Sequence, residues 1–247
     1  LSSYLAVAGE FFEGGAGVRQ LEAEWAAHFG VAHAVALNSA TSALYAAMGA
    51  AGVGPGDEVV VSPYTMAASA TCALIYNAVP VFADVDPETF CISPETIKAV
   101  LTPRTKAIVA VDILGHPAEM EGIMALAREH GLVVVEDAAQ AYGASLHGRP
   151  AGTMGHIGVY SLNYHKTIQC GEGGMAVTDD PELALRLKLI RNHAEVVAED
   201  THVANLVDLV GFNFRMTELE AAIARQQLKK AVALASKRQA NAARLTQ

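Results

Sequence analysis

Short runs of β-branched and aliphatic residues recur along this chain, separated by segments whose apolar positions follow helical spacing. That alternation limits the fold more than any other feature. Residues 34–37 (AVAL) predict a strand, 41–51 an Ala-rich helix, G-P-G-D at 54–57 a turn, 58–62 a strand and 65–77 a helix. Further strands are predicted at 80–84, 107–113 and 132–136, with a helix at 119–130 that stops at Gly131. Ser93-Pro94-Glu95 predicts the start of a short helix, with an N-cap serine and a proline in the first position. Beyond residue 155 the pattern shifts to extended runs at 157–162 and 174–178 and a helix at 181–192. A last helix is predicted from Thr217, where Thr217 and Glu220 have capping-box spacing, on to the end of the chain. Strands that are apolar along their whole length are covered on both faces, so the class is α/β with a mostly parallel sheet. In such sheets ligands sit at the carboxyl ends of the strands.

Only 17% of residues are charged, against about 25% in a typical globular chain, which predicts extensive burial in a thick sheet, an oligomer interface or both. The net charge of −9 and the lack of a basic cluster argue against nucleic acid, while a single phosphate-bearing ligand can still be held by backbone N–H groups. Cys72, Cys91 and Cys170 are far apart, which indicates neither a disulfide framework nor a zinc site and suits a cytoplasmic setting. No run approaches the roughly 18–20 apolar residues of a membrane span. The opening LSSYLAVAGEFFEGG is interrupted by Glu10 and Glu13 and lacks a basic start, so it does not read as a signal peptide; the initial Leu suggests that residues precede it. His28 with His33, and His147 with His156, lack the spacing of metal ligands, so no metal is expected. Val18, Leu21, Trp25 and Phe29 have the spacing of a packed helix face. Neither G-x-G-x-x-G nor a Walker A motif occurs.

Three segments carry candidate chemistry. Asn38-Ser39-Ala40-Thr41-Ser42-Ala43-Leu44 lies between a strand and a helix; it reads as an ordinary Ser cap or as an anion site built on unpaired N–H groups. Val133-Val134-Val135-Glu136-Asp137 runs a buried strand into two acids, either of which can cap the next segment or meet a protonated ring nitrogen in the ligand crevice. Lys166, alone between Lys106 and Lys188, lies between an apolar run and Gly171, Gly173 and Gly174. It reads as a solvated surface lysine or as an amine that forms a Schiff base where glycine lets a ligand approach. An anion cradle, a carboxylate for a ring nitrogen and an amine for an aldehyde together match the groups of pyridoxal 5′-phosphate (PLP).

At these residues the chain resembles the DegT/DnrJ/EryC1/StrS sugar aminotransferases, fold type I PLP enzymes. The motifs are NSATSAL (38–44), GPGDEVVVSPYT (54–65), PVFADVDPETF (80–90), TPRTKAIVAV (102–111), VVVEDAAQAYGA (133–144), SLNYHKTIQCGEGGMAVTDD (161–180) and GFNFRMTELEAAI (211–223). The resemblance implies a three-layer αβα large domain over residues 1–230, with 231–247 opening the helix toward a smaller C-terminal domain that this chain lacks. It implies Lys166 as the Schiff-base lysine, Asp137 as the partner of the pyridinium nitrogen, Gln140 beside the ring hydroxyl, and Ala40, Thr41 and Ser161 at the phosphate. Asn213 matches an asparagine that reaches the phosphate in the neighbouring subunit, which implies a homodimer with shared active sites. Met66 stands where the family usually stacks an aromatic residue on the ring. The implied activity is ping-pong transamination from L-glutamate or L-glutamine to a keto sugar, with a keto-inositol as an alternative acceptor. A related sugar dehydratase would carry histidine in place of Lys166, and a non-catalytic regulatory protein would have signalled itself by loss of Lys166 or Asp137.

Overall fold

The computed structural model describes residues 14–194 and 209–245. Helix α1 (Ala16–Phe29) leads into strand β1 (His33–Leu37), and α2 (Ala40–Ala50) into β2 (Glu58–Val61). Then come α3 (Ala67–Leu74), β3 (Val79–Phe82), α4 (Pro94–Lys98), β4 (Thr105–Val111), α5 (Met120–His130) and β5 (Val133–Asp137). A two-stranded ribbon, β6 (Ser145–Leu146) with β7 (Arg149–Pro150), precedes β8 (Ile157–Ser161) and β9 (Gly174–Thr178). Helices α6 (Pro181–Arg191), α7 (Glu218–Leu228) and α8 (Ala231–Leu245) complete the described chain.

The main sheet has seven strands in the order β1-β9-β8-β5-β4-β2-β3. β9 is antiparallel to both its neighbours and the remaining pairings are parallel, so β9 alone is reversed. Helices cover the sheet to give the αβα layering, and alternation along the strands divides the core in two. In β1, Val35 and Leu37 join the larger cluster with α2 and α6, while Ala34 and Ala36 join the smaller one with α1 and α7. Trp25, Leu21, Val18 and Phe29 pack in the smaller cluster, as their spacing predicts, with Trp25 and Phe29 rings 5.2 Å apart. Among the described residues no helix is long and apolar enough to cross a membrane.

Three elements differ from their sequence reading. The helix expected over 65–77 is confined to Ala67–Leu74, because Met66 is extended at its start and Asn77 turns into the left-handed region (φ 56°) at its end. β3 is a sheet edge rather than a covered strand, and Val79 and Phe82 stay exposed. The helix from Thr217 has the predicted capping box but does not run on to the end of the chain. It breaks at Lys229–Lys230, where Lys230 N–H bonds back three residues to Gln227 (2.9 Å), so that both Leu228 and Ala231 are buried.

The two acids at the end of β5 point to opposite faces and have different partners. Glu136 accepts the N–H groups of Gly152 (2.6 Å), Met154 (2.7 Å) and Gly155 (2.8 Å), which fastens the 150–155 loop under the sheet. Asp112, at the end of neighbouring β4, accepts Ala118 N–H on Oδ1 (3.0 Å), while its buried Oδ2 meets no donor among the described residues. Burial, and then the charge of Glu136, pushes the Asp112 carboxyl up to about 9, so Asp112 keeps its proton at neutral pH. The folded state then keeps a proton that the unfolded chain releases at the ordinary carboxylate pKa. This contribution is whole below that ordinary pKa and is lost as pH rises toward the folded value, by up to about 1.4 kcal/mol per pH unit. Asp112→Asn, which keeps an acceptor and a donor without ionising, is expected to flatten stability against pH from mildly acidic pH up to about 9. Thermal unfolding of parent and variant checks it, and parallel curves would count against a proton held on Asp112.

Candidate active site

The carboxyl ends of β4, β5 and β8 and the amino end of α2 meet at one cavity of about 320 Å³. At its α2 end, Ser39 is the N-cap and its Oγ accepts Ser42 N–H (3.0 Å), while Ser42 Oγ donates to Asn38 Oδ1 (2.6 Å). The cap reading of this segment is met, and the geometry is compatible with the anion reading. The serines close the cap, and helix geometry leaves the N–H groups of Ala40 and Thr41 without intrahelical acceptors at the cavity wall. Gly174 of β9 lies against this turn; a Cβ there would come within 2.4 Å of the Ser39 carbonyl carbon and 2.5 Å of Ala40 N. The absence of a side chain at 174 is what lets β9 lie against the mouth of α2. Ser161, at the end of β8, accepts Asn163 N–H (3.3 Å) and keeps its own hydroxyl proton for the cavity.

Asp137 forms the floor. Its Oδ2 accepts Ser69 Oγ–H (2.7 Å) and its Oδ1 accepts Ala139 N–H (3.1 Å). Burial pushes this carboxyl up, while the Ser69 hydroxyl, the Ala139 N–H and the charge of Lys166 pull it back. Of the two adjacent acids, Glu136 is thus held by the 150–155 loop and Asp137 faces the ligand space. Lys166 is half-buried on the β8–β9 connection, where its N–H donates to Asn163 C=O (2.9 Å), and it shares the cavity with Asp137. Gln140 Oε1 accepts Leu114 N–H (2.9 Å), which leaves the Gln140 amide NH₂ as the donor available to a ligand. Met66, 70% exposed, lies at the rim.

Seven of the eight sequence-predicted site residues line this cavity: Ala40, Thr41, Met66, Asp137, Gln140, Ser161 and Lys166. Asn213 does not. It lines a separate cavity of about 700 Å³ with Asn38 and Arg215. An adjoining space of about 260 Å³ shares Gln140, His165 and Lys166 and brings in Arg238 of α8. Sequence reasoning missed Ser69 and Thr65, whose hydroxyls face each other at 2.9 Å. Their i, i+4 spacing after a strand was the available signal. Among the described residues no group of three or more His, Cys, Asp or Glu is placed to hold a metal ion.

The family model for DegT/DnrJ/EryC1/StrS aminotransferases matches residues 4–247. The chain belongs to that family. It is 45% identical over 210 residues to UDP-N-acetyl-3-dehydro-alpha-D-glucosamine 3-aminotransferase of Acidithiobacillus ferrooxidans, covering 85% of this chain and 55% of the relative. It is 41% identical over 211 residues to GDP-perosamine synthase of Caulobacter vibrioides, covering 85% and 56%. The structure of an aminotransferase from Psychrobacter cryohalolentis superimposes with a TM-score of 0.81 at 41% identity, over 92% of this chain and 60% of that one. The chain thus spans little more than half the length of the curated relatives it matches.

The donor set in this DegT/DnrJ/EryC1/StrS chain fits PLP on its own geometry. A buried carboxylate pushed up by desolvation calls for a cation such as a ring N–H⁺, two helix N–H groups suit a phosphate, and an amine opens into the same space. Because Gly174 backs the phosphate-side turn, Gly174→Ala is expected to displace Ser39–Ala40. It should lower stability by about 1–3 kcal/mol and weaken PLP retention during dialysis. Unchanged unfolding and retention would show that the turn can give way at no cost.

Proposed function

We propose that this chain is the cofactor-binding part of a PLP-dependent aminotransferase that moves an amino group from L-glutamate or L-glutamine to a nucleotide-linked keto sugar. The observation that carries this reading is the convergence of the Lys166 amine and the buried Asp137 carboxylate on one cavity, with the Ala40 and Thr41 N–H groups at its wall. The names of the two curated relatives, one a UDP-sugar and one a GDP-sugar enzyme, support a nucleotide-linked acceptor.

PLP, when bound, supplies an electrophilic aldehyde carbon and an electron-accepting ring. In this reading the Ala40 and Thr41 N–H groups and the Ser161 hydroxyl hold the phosphate, and the Gln140 amide NH₂ donates to the ring hydroxyl oxygen. Asp137 holds a proton on the ring nitrogen, and its burial makes that ion pair strong. Lys166 would hold the cofactor through its aldehyde, and its amine, when free, would serve as the base that takes up and returns the proton of the donor's α-carbon. One site serving both half-reactions gives ping-pong kinetics. To Asn213, which is exposed and lines the separate cavity, this reading assigns the phosphate in a second copy of the chain, in a homodimer whose active sites are shared.

Lys166→Ala is expected to abolish both the visible absorbance of the loaded protein and turnover; retention of both would remove Lys166 from its role. Asp137→Ala is expected to keep some cofactor but lose activity by on the order of 100-fold or more, as for other preorganised electrostatic groups. Met66→Phe, which restores a ring at the stacking position, is expected to slow cofactor loss roughly two- to tenfold in a dialysis assay.

A further inference from the structure

We propose that Ser69 is a positioning residue that fixes how Asp137 meets the ring nitrogen of the cofactor, and that Thr65 in turn orients Ser69. This rests on the PLP reading above. Ser69 is fully buried in the first turn of α3, 68 residues away in sequence from the carboxylate it touches. Its hydroxyl has one proton. An ionised carboxylate only accepts, so that proton belongs to the 2.7 Å bond to Asp137 Oδ2. The 2.9 Å contact between Ser69 and Thr65 then takes its proton from Thr65, and the chain of bonds has one direction, from Thr65 to Ser69 to Asp137. Ala139 N–H occupies the other carboxylate oxygen, so both oxygens are held from the protein side while the group lines the cavity. The same short segment carries Met66 at the rim, so the residue facing the ring and the residue holding its nitrogen partner are set by one element.

The chemical consequence is specific. A donor on a buried carboxylate lowers its basicity, and of the groups that pull Asp137 down against burial the Ser69 hydroxyl is the foremost. With that donor gone, the carboxylate competes harder for the proton it shares with the ring nitrogen, and the ring becomes a poorer acceptor of electrons. A serine that merely docked α3 on the sheet would leave that proton where it is.

The test loads the parent, Ser69→Ala, Ser69→Cys and Ser69→Thr with PLP labelled with ¹⁵N in the ring. It follows the ring-nitrogen shift against pH, alongside kcat and KM for the amino donor. The expected result is that Ser69→Ala shows, at each pH below its titration, a ring-nitrogen shift displaced toward that of the unprotonated nitrogen, and falls roughly tenfold in kcat with little change in KM, the size expected for a hydrogen bond to a charged group. Ser69→Thr should restore the parental titration. Ser69→Cys, of similar size and a weak donor, should behave as the alanine variant does, and it carries the test if the alanine variant does not fold. A loaded Ser69→Ala or Ser69→Cys protein with the parental titration overturns this proposal alone. A parent that takes up no PLP removes the functional reading and this proposal with it.

Discussion

A carboxylate buried at the end of a central strand is the constraint around which this site is organised. Asp137 pairs in register with Val111 of β4 and Val159 of β8, with strands on both sides, so water cannot hydrate it as it would at a surface. The chain provides two donors, Ser69 and Ala139, and the nearby charge of Lys166. The acid one residue earlier shows what a different balance does. Glu136 receives three backbone N–H groups and serves to hold a loop. Donors on Glu136 come from that loop, whereas Asp137 faces a cavity that also holds an amine. In that contrast one acid is structural and the other is left for a ligand to complete.

Reversal of β9 brings the other groups to the same place. β8 ends at Ser161 beside β5, and the chain must turn back to enter β9 antiparallel. That connection carries Lys166 to the carboxyl edge of the sheet, where Leu162 N–H bonds Gly173 C=O (2.9 Å) and Asn163 bridges Gly171. On its return the chain passes Gly174, whose missing side chain leaves room for the Ser39–Ala40 turn. The lone lysine and the glycines after it thus answer to one geometry. Lysine is delivered to the cavity by a tight return, and the return can lie against the mouth of α2 only because residue 174 has no Cβ.

Much of this was legible in the sequence, and what escaped shares one cause. The alternation of apolar runs and helical segments located the strands and helices closely, because it reports burial on both faces and is local to each segment. The cap at Ser93, the capping box at Thr217 and the stop at Gly131 were readable for the same reason. Contacts between segments distant in the chain were not. Nothing near Ser69 in the sequence points to Asp137, and nothing near Glu22 announces that its carboxylate meets the buried guanidinium of Arg191, 169 residues later, across the edge of β1. The break at Lys229–Lys230 was hidden too, since both halves are good helix and only burial of Ala231 requires the bend. The ambiguity between Glu136 and Asp137 was of the same kind. Strand alternation puts neighbouring residues on opposite faces but does not say which face has the cavity.

The low charge content of the chain acquires a location. Exposed apolar side chains lie at or near the cavity: Met66, in its lining, is 70% exposed, and Leu114, whose N–H is bonded to the lining residue Gln140, is 74% exposed. Leu114 also takes up a left-handed backbone conformation (φ 56°) that places its N–H on Gln140. A bulky aliphatic residue adopts that conformation at an energetic cost, which the bond to Gln140 helps to offset. Exposed apolar side chains near a polar site favour a cover that excludes water once ligand is in, and water exclusion would strengthen the proposed charge pair between Asp137 and a ring nitrogen. A second copy of the chain in the proposed homodimer would supply such a cover, and would account at the same time for the low charge content of the chain.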